Sequence, residues 1–218
     1  MSLAAPPHVR PRVLLSAGAA LLVVPVLVGT AVRADRRPPF QAVDDTWLRW
    51  MGGPHKGFAE SLASALNLFG GPYGALVPLV GMLVLFALRR FGAGLCVLIA
   101  TLATQVAVQA LKHLVDRPRP AHPLVTVDHG SFPSGHAATM AMTVVLIGAI
   151  CVPARRLRWW WPVGVVLTLT MMWSRTWLHA HWLSDTLAGA LAGAGATLLV
   201  CWAFGPGRLR GRRRAIGG

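Results

Sequence analysis

The sequence predicts an all-α protein: a bundle of six transmembrane helices, with a short amphipathic helical segment between spans 1 and 2. Two features predict this class. Of the 218 residues, 55% are hydrophobic and 13% are charged, whereas soluble domains carry about 25% charged residues. In addition, six long stretches contain almost no charge, and a spanning helix needs about 20 such residues. The length suits one domain, so residues 1–218 are expected to form a single integral membrane domain.

Six predicted spans follow from these stretches: 13–32, 72–88, 91–111, 137–154, 159–173 and 186–204. The fifth is short as written, and the tryptophans on its flanks extend it toward spanning length. The first also has the character of a signal peptide. The apolar part of a signal peptide usually has about 7–15 residues, so a retained helix is favoured for 13–32.

The connection between the first two spans, 33–71, has helical patterns of its own. Asp44 or Asp45 is a candidate N-cap for a short helix that contains two tryptophans. Residues 57–69 are amphipathic. Two interpretations of the amphipathic part stay open: a helix that lies flat on the outer membrane surface, or a lid or lateral entry wall for a lipid.

The last span carries small residues at a spacing that allows close helix contact. Gly189 and Gly193 are four residues apart, as are Ala188 and Ala192. Small residues in this pattern let two helix backbones approach each other. Packing inside the bundle is favoured over a dimer interface.

The basic residues predict the orientation. With a cytoplasmic N-terminus, the inner side carries twelve basic residues and no acidic residue, and the outer side carries nine basic and all seven acidic residues. Basic residues concentrate on the cytoplasmic side of membrane proteins, so both termini are predicted to be cytoplasmic. The net charge of +14 therefore reflects topology, and nucleic acid is not an expected partner. The basic tail 208–214 is expected to anchor the topology and to contact anionic headgroups.

Three polar motifs interrupt the apolar sequence, and the predicted topology brings all three to the outer face. They read Lys112–x6–Arg119–Pro120, Pro133–Ser134–Gly135–His136 and Ser174–Arg175–x5–His181–x3–Asp185. Charge is costly in such an apolar chain. Because residues from different helices converge at one membrane depth, a shared site is favoured over unrelated structural roles.

The cationic side chains of this set suit a phosphoryl group. Arg119 and Arg175 can bind phosphate oxygens in bidentate fashion, and Lys112 adds a point charge. Such groups stabilise the charge of a pentacoordinate phosphorus without a metal. Taken singly, each would more simply contact lipid headgroups.

The second and third motifs add an anion site and two histidines. Ser134 and Gly135 immediately precede the fourth span, where free backbone N–H groups bind anions, and His136 can protonate a leaving oxygen. His181 and Asp185 are four residues apart at the start of the last span. A carboxylate there can accept the Nδ1 proton of the imidazole and leave Nε2 free as a nucleophile or base.

Together the three motifs resemble the signature of the type 2 phosphatidic-acid phosphatase superfamily. Its members include membrane lipid phosphate phosphatases, glucose-6-phosphatase and soluble vanadium haloperoxidases. Every defined position of the signature is matched, in order, from Lys112 to Asp185. With six predicted spans, the chain is most similar in plan to the membrane lipid phosphate phosphatase branch.

This resemblance implies a role for each motif residue. His181 would be the nucleophile and form a phosphohistidine, Asp185 would orient it, and His136 would protonate the leaving alcohol and then activate water. The resemblance implies neither a metal nor a cofactor. The residues it assigns to phosphate binding are Lys112, Arg119, Arg175, Ser134 and Gly135.

The expected function is therefore that of a metal-independent lipid phosphatase in a bacterial cell membrane, with its active site at the outer face. Candidate substrates are phosphatidic acid, phosphatidylglycerol phosphate and polyprenyl pyrophosphate or a related polyprenyl phosphate sugar. One alternative is a phosphotransferase in which a second lipid takes the phosphate. Another is a non-enzymatic lipid-binding or transport protein, which would not require the histidines. The six predicted spans argue against a soluble haloperoxidase.

Overall fold

The computed structural model describes residues 11–35, 37–70 and 73–210. Within these ranges the chain forms α-helices, one 3-10 turn (Ala154–Arg156) and no strand, which confirms the all-α class. Some predictions concern residues outside these ranges. They are the cytoplasmic location of Arg10, Arg212, Arg213 and Arg214, and the start of the second predicted span at Pro72. The helices are α1 (Pro11–Ala34), α2 (Gln41–Trp50), α3 (Phe58–Gly70), α4 (Leu76–Ala87), α5 (Phe91–Val115), α6 (Gly135–Ile150), α7 (Leu157–Trp177) and α8 (Leu183–Arg210).

Among the described residues, three helices are long and apolar enough to cross a membrane: α1, α5 and α8. The apolar helices α4 and α6 have 12 and 16 residues, which at about 1.5 Å per residue are shorter than a hydrocarbon core of about 30 Å. Helix α7 has 21 residues but carries Arg158, Arg175 and three consecutive tryptophans. The six-span arrangement therefore stays a prediction.

Helix α8 lies at the centre of the bundle and packs against α1, α5 and α6. The predicted close contact of its small residues is confirmed, because Cβ atoms added at Gly189 and Gly193 would overlap backbone atoms of Ser134 and Ala138. Near its C-terminus the helix bends at Gly205, whose φ of 68° suits glycine.

The two ends of the bundle differ in polarity. At one end α5 and α7 finish and α6 and α8 begin, so all three motifs meet there. At the other end Arg90 donates hydrogen bonds to the carbonyls of Ile150 (3.1 Å) and Leu209 (2.8 Å). These bonds satisfy carbonyl groups at the C-termini of α6 and α8. The main apolar core lies between this second end and the middle of the bundle, around Cys96 and Met142.

The segment between the first two predicted spans packs onto the polar end. Helix α2 contacts α8, and α3 lies against α6 and α7. The predicted cap was wrong: α2 begins at Gln41 after Phe40, and Asp44 lies inside its first turn. Since α3 rests on two bundle helices, it forms part of the wall around the motif residues.

Candidate active site

A cavity of about 350 Å³ opens at the polar end of the bundle. Six of the eight predicted site residues line it: Lys112, Arg119, Gly135, His136, Arg175 and His181. The other two, Ser134 and Asp185, are fully buried next to it. The backbone N–H of Ser134 donates to the Asp185 carbonyl at 3.0 Å, and its hydroxyl accepts from the N–H of Ala137 at 3.5 Å as the N-cap of α6.

His181 lies in the turn before α8, outside the helix itself. Its Nδ1 is 2.7 Å from the backbone carbonyl of Ser131. A carbonyl only accepts hydrogen bonds, so the proton of the neutral imidazole sits on Nδ1 and the lone pair on Nε2. That Nε2 atom is 3.3 Å from an N–H of Arg119 and faces the cavity. The free nitrogen thus lies beside a cation.

Burial lowers the pKa of His181 to about 4, although nearby Asp185 opposes the shift; Arg119 and Arg175 lower the pKa further. The buried ring and its two cationic neighbours both disfavour the imidazolium. The imidazole is consequently neutral at pH 7, the state in which Nε2 can act as a nucleophile.

Asp185 acts on His181 mainly through an intermediary. Its Oδ2 is 3.8 Å from Nδ1 of His181, beyond hydrogen-bonding distance. The same oxygen accepts hydrogen bonds from the hydroxyl of Ser131 and from the N–H of Trp182, the latter at 3.0 Å. Ser131 therefore connects the two residues, with its hydroxyl on the carboxylate and its carbonyl on the imidazole.

Two of the cations share one carboxylate, Asp128. Lys112 Nζ lies 3.2 Å from Asp128 Oδ1 and donates to the carbonyl of Gly130 at 2.9 Å. Arg119 also pairs with Asp128, and it donates to the Ala180 carbonyl at 2.6 Å. Burial would raise the pKa of Asp128, but the charge and hydrogen bond of Lys112 and the charge of Arg119 hold it below its usual value. An anion thus already sits between these two cations.

Arg175 at the end of α7 is held by α3. Its Nη1 donates to Oδ1 of Asn67 at 2.6 Å. Its Nε is buried and has no hydrogen-bond partner among the residues that the structure describes. A buried unpaired donor is costly, and the side chain of Arg175 lines the cavity, so a bound anion is a candidate partner for this N–H.

The same residue of α3 meets His136. Nε2 of His136 is 3.3 Å from the backbone carbonyl of Asn67. At Gly70, three residues further along, an added Cβ would overlap the His136 ring. Helix α3 thus supports one face of the imidazole, which favours the entry-wall interpretation of this segment over a helix lying free on the membrane surface.

Arg117, to which the sequence assigned no site role, is almost fully buried and binds two carboxylates. It donates to Oδ1 of Asp185 at 2.6 Å and to Oδ2 of Asp44 at 2.8 Å. It also donates to Ser184 Oγ at 2.8 Å and to Gln41 Oε1 at 2.6 Å. The network ties α2 and the start of α8 to the loop that carries Arg119.

Sequence reasoning also missed Asn67, Asp128 and Ser131. A weak signal existed for two of the four: Asp128 is one of just seven acidic residues, and Arg117 is a charge between apolar spans. Asn67 and Ser131 have no such signal, because a single amide or hydroxyl in a loop or on a polar helix face is common.

The fold and the cavity define a helical, membrane-type protein with a cationic site around a neutral histidine. A family model described as the PAP2 superfamily matches residues 93–208. The chain belongs to the PAP2 superfamily, as the three motifs indicated.

Individual relatives agree with this assignment. Decaprenylphosphoryl-5-phosphoribose phosphatase of Mycobacterium tuberculosis is 35% identical over 148 residues, which cover 64% of this chain and 75% of that protein. Undecaprenyl-diphosphatase of Sulfolobus acidocaldarius is 26% identical over 141 residues, 62% of this chain and 65% of that protein. The crystal structure of a transmembrane PAP2 type phosphatidylglycerolphosphate phosphatase from Bacillus subtilis has the same fold, with a TM-score of 0.69 at 20% identity, over 84% of this chain and 93% of that one.

Proposed function

We propose that the protein is an integral membrane phosphatase that removes a terminal phosphate from a lipid through a phosphohistidine on His181. One observation carries the proposal. The unprotonated Nε2 of a neutral, buried histidine accepts a hydrogen bond from Arg119 beside a cavity lined by Lys112, Arg119 and Arg175. The relatives, phosphatases of polyprenyl and phosphatidylglycerol phosphates by name, support the same class of substrate.

In the first step Nε2 of His181 attacks phosphorus and the bond from phosphorus to the leaving oxygen breaks. Lys112, Arg119 and Arg175 stabilise the charge on the transferring group, with Gly135 at the N-terminus of α6 adding to the anion site. Ser134 lies buried behind Gly135, where its hydroxyl caps α6 and its N–H donates to the Asp185 carbonyl. His136 gives a proton to the leaving alcohol. Burial and the charge of Arg175 lower the pKa of His136 to about 3, so the imidazole takes up this proton as the anionic substrate binds. The Nδ1 proton stays on His181, directed at the carbonyl of Ser131, and the negative charge of Asp185 stabilises the positively charged ring.

In the second step water attacks the phosphohistidine and the phosphorus–nitrogen bond breaks. His136, now neutral, accepts the proton of the attacking water, so inorganic phosphate leaves and both histidines return to their starting states. Positive charge comes from the three side chains throughout, and we propose that no metal takes part.

The proposed topology has six spans, with both termini in the cytoplasm and the cavity at the outer face of a bacterial cell membrane. Basic residues 89, 90, 155 and 156 lie at the bundle end opposite the cavity, as the positive-inside rule requires for this orientation. Helices α4 and α6 are shorter than the hydrocarbon core, so in this topology the chain segments next to them complete the two membrane crossings.

The test is phosphate release by the purified, detergent-solubilised full chain in EDTA, on phosphatidic acid, phosphatidylglycerol phosphate and a polyprenyl pyrophosphate. His181→Ala is the inactive variant, and His113→Ala, an exposed histidine outside the cavity, is the matched control. We expect EDTA-resistant release that His181→Ala abolishes and His113→Ala keeps. If His181→Ala releases phosphate as wild type does, the phosphohistidine mechanism is wrong. Transfer of labelled phosphate to a second lipid without free phosphate would replace hydrolysis by transfer.

A further inference from the structure

The cavity continues along α5 beyond the phosphate-binding residues. Gln105, Gln109 and Lys112 all line it, and their spacing of four and then three residues places them on one face of the helix. Thr139 of α6 and Gly70 of α3 line it as well. At about 1.5 Å per residue, the two amides lie roughly 4 Å and 10 Å further along α5 than the lysine.

These amides are unusual for their position. Helix α5 is one of the three that are apolar and long enough to cross a membrane, and it carries no charged residue from Phe91 to Leu111. Both side chains are exposed, and neither forms a hydrogen bond with another residue in the described ranges. An unpaired amide within a membrane is costly, and polar residues at such depth usually mark a substrate path.

The chemistry of the pair indicates what it binds. An amide offers donors and an acceptor, which match a hydroxyl group because a hydroxyl both donates and accepts. A second phosphate would need cations, and the cations that line the cavity, Lys112, Arg119 and Arg175, all lie at its motif end. A cavity of about 350 Å³ falls within the about 300–1,000 Å³ range of pockets that hold drug-sized ligands.

We infer that Gln105 and Gln109 form a subsite for a neutral, hydroxyl-bearing part of the leaving group, next to the scissile phosphate. The inference rests on the proposed phosphatase function and narrows its substrates. It favours phosphomonoesters of lipid-linked sugars or of glycerol with a free hydroxyl. It disfavours polyprenyl pyrophosphates, in which a second phosphate would occupy this position.

A pair of matched probes tests the subsite. One is an alkyl glycerol phosphate with a free hydroxyl beside the phosphoester, and the other is the propanediol phosphate of the same alkyl chain, which lacks only that hydroxyl. We expect wild type to prefer the first by about tenfold in kcat/KM, because an amide left without its partner within the membrane disfavours the second. In Gln105→Leu/Gln109→Leu, kcat/KM for the hydroxyl probe should fall to the value for the other probe, which should hardly change.

The controls separate the subsite from folding and from the proposed function. Leucine suits a membrane helix, and the single variants Gln105→Met and Gln109→Met keep nearly the same side-chain length if the double variant does not fold. Thr101→Val, one turn earlier and bonded to its own helix at Val97, should behave as wild type. Equal treatment of both probes by wild type, or an equal loss on both probes in the glutamine variants, would overturn the subsite. No phosphate release from either probe or any lipid would overturn the phosphatase proposal, and the subsite with it.

Discussion

Arg117 donates a hydrogen bond to Asp185 at 2.6 Å, and exposed fractions of 2% and 0% make this a buried ion pair. The second nitrogen of the same guanidinium binds Asp44 of α2. One arginine thus pairs with two buried carboxylates, and one of those carboxylates supports the proposed nucleophile. Helix α2 and the start of α8 are therefore joined through this side chain and through Ser184, whose N–H and hydroxyl donate to Asp44 at 2.9 Å and 2.6 Å.

Removing that side chain should destabilise the protein strongly. Breaking a buried ion pair by removing one partner costs about 3–5 kcal/mol, because the remaining charge stays buried. We expect Arg117→Ala to lower the unfolding temperature in detergent and to abolish activity, and Arg117→Lys to recover part of both, since lysine cannot fork to two carboxylates. Arg49→Ala, at an exposed arginine of α2, is the control. Unfolding of Arg117→Ala at the wild-type temperature would contradict the structural role of the network.

Asp185→Asn should lower kcat less than the same substitution does in a protein where the carboxylate accepts the Nδ1 proton of the histidine directly. When a carboxylate holds that proton, replacement by asparagine costs about 10⁴ in kcat because the tautomer is wrong. Here the Ser131 carbonyl holds it at 2.7 Å, so we expect a loss of about 10–100-fold, as for residues that act through a neighbour. Ser131→Ala keeps the carbonyl and should lose less still. A loss near 10⁴ in Asp185→Asn would mean that the carboxylate contacts Nδ1 directly during turnover.

The contrast between Asp185 and Arg117 illustrates how far sequence reasoning reaches. We could predict that Lys112, His136 and Asp185 meet at one end of the bundle. Consecutive predicted spans cross the membrane in opposite directions, so the end of the third span and the beginnings of the fourth and sixth lie on the same side. The pairing of Asp44 with Arg117 could not. These residues are 73 positions apart, and their contact depends on how α2 packs on α8, which no local pattern encodes.

Helix boundaries show a similar limit. The third predicted span ended at residue 111, where apolar character ends, but α5 continues to Val115. The extra turn contains Lys112, whose ammonium has a carboxylate and two carbonyls within 3.3 Å. The hydropathy pattern ends at the charged Lys112. The helix itself continues, because tertiary contacts stabilise the ammonium group.

The contact between Asn67 and Arg175 predicts a defect in substrate binding. Asn67→Ala removes the amide that fixes the guanidinium at 2.6 Å, while its backbone carbonyl still accepts from His136. We expect KM for a lipid phosphate to rise by about tenfold, the value of one lost charge-assisted hydrogen bond, with a smaller change in kcat. Steady-state kinetics with Ser64→Ala, an exposed polar residue of α3, as control checks this. A fall in kcat at constant KM would assign Asn67 to the proton transfer of His136 instead.

The low pKa of His181 predicts how the protein titrates. Burial lowers its pKa from 6.5 to about 4, so between these values the unfolded chain binds a proton that the folded chain does not. The contribution of His181 to the free energy of unfolding should therefore fall as pH drops through 6.5 and stay constant below about 4. Nitrogen NMR of histidine-labelled protein, with the signal assigned by its absence in His181→Gln, should give a midpoint well below 6. A midpoint near 6.5 would mean that the ring is open to water.

Asp128 lies between Lys112 and Arg119 and bonds both, so a substrate phosphate has to displace it. Its side chain is 66% exposed, whereas those of Lys112 and Arg119 are 5% and 10% exposed, so the carboxylate is the partner that can move aside into solvent. We expect Asp128→Asn to bind inorganic phosphate or vanadate a few-fold more tightly, measured as competitive inhibition of lipid hydrolysis. Asp116→Asn, an exposed carboxylate outside the cavity, should leave the inhibition constant unchanged. Weaker inhibition in Asp128→Asn would mean that the carboxylate instead holds both cations in the geometry that binds phosphate.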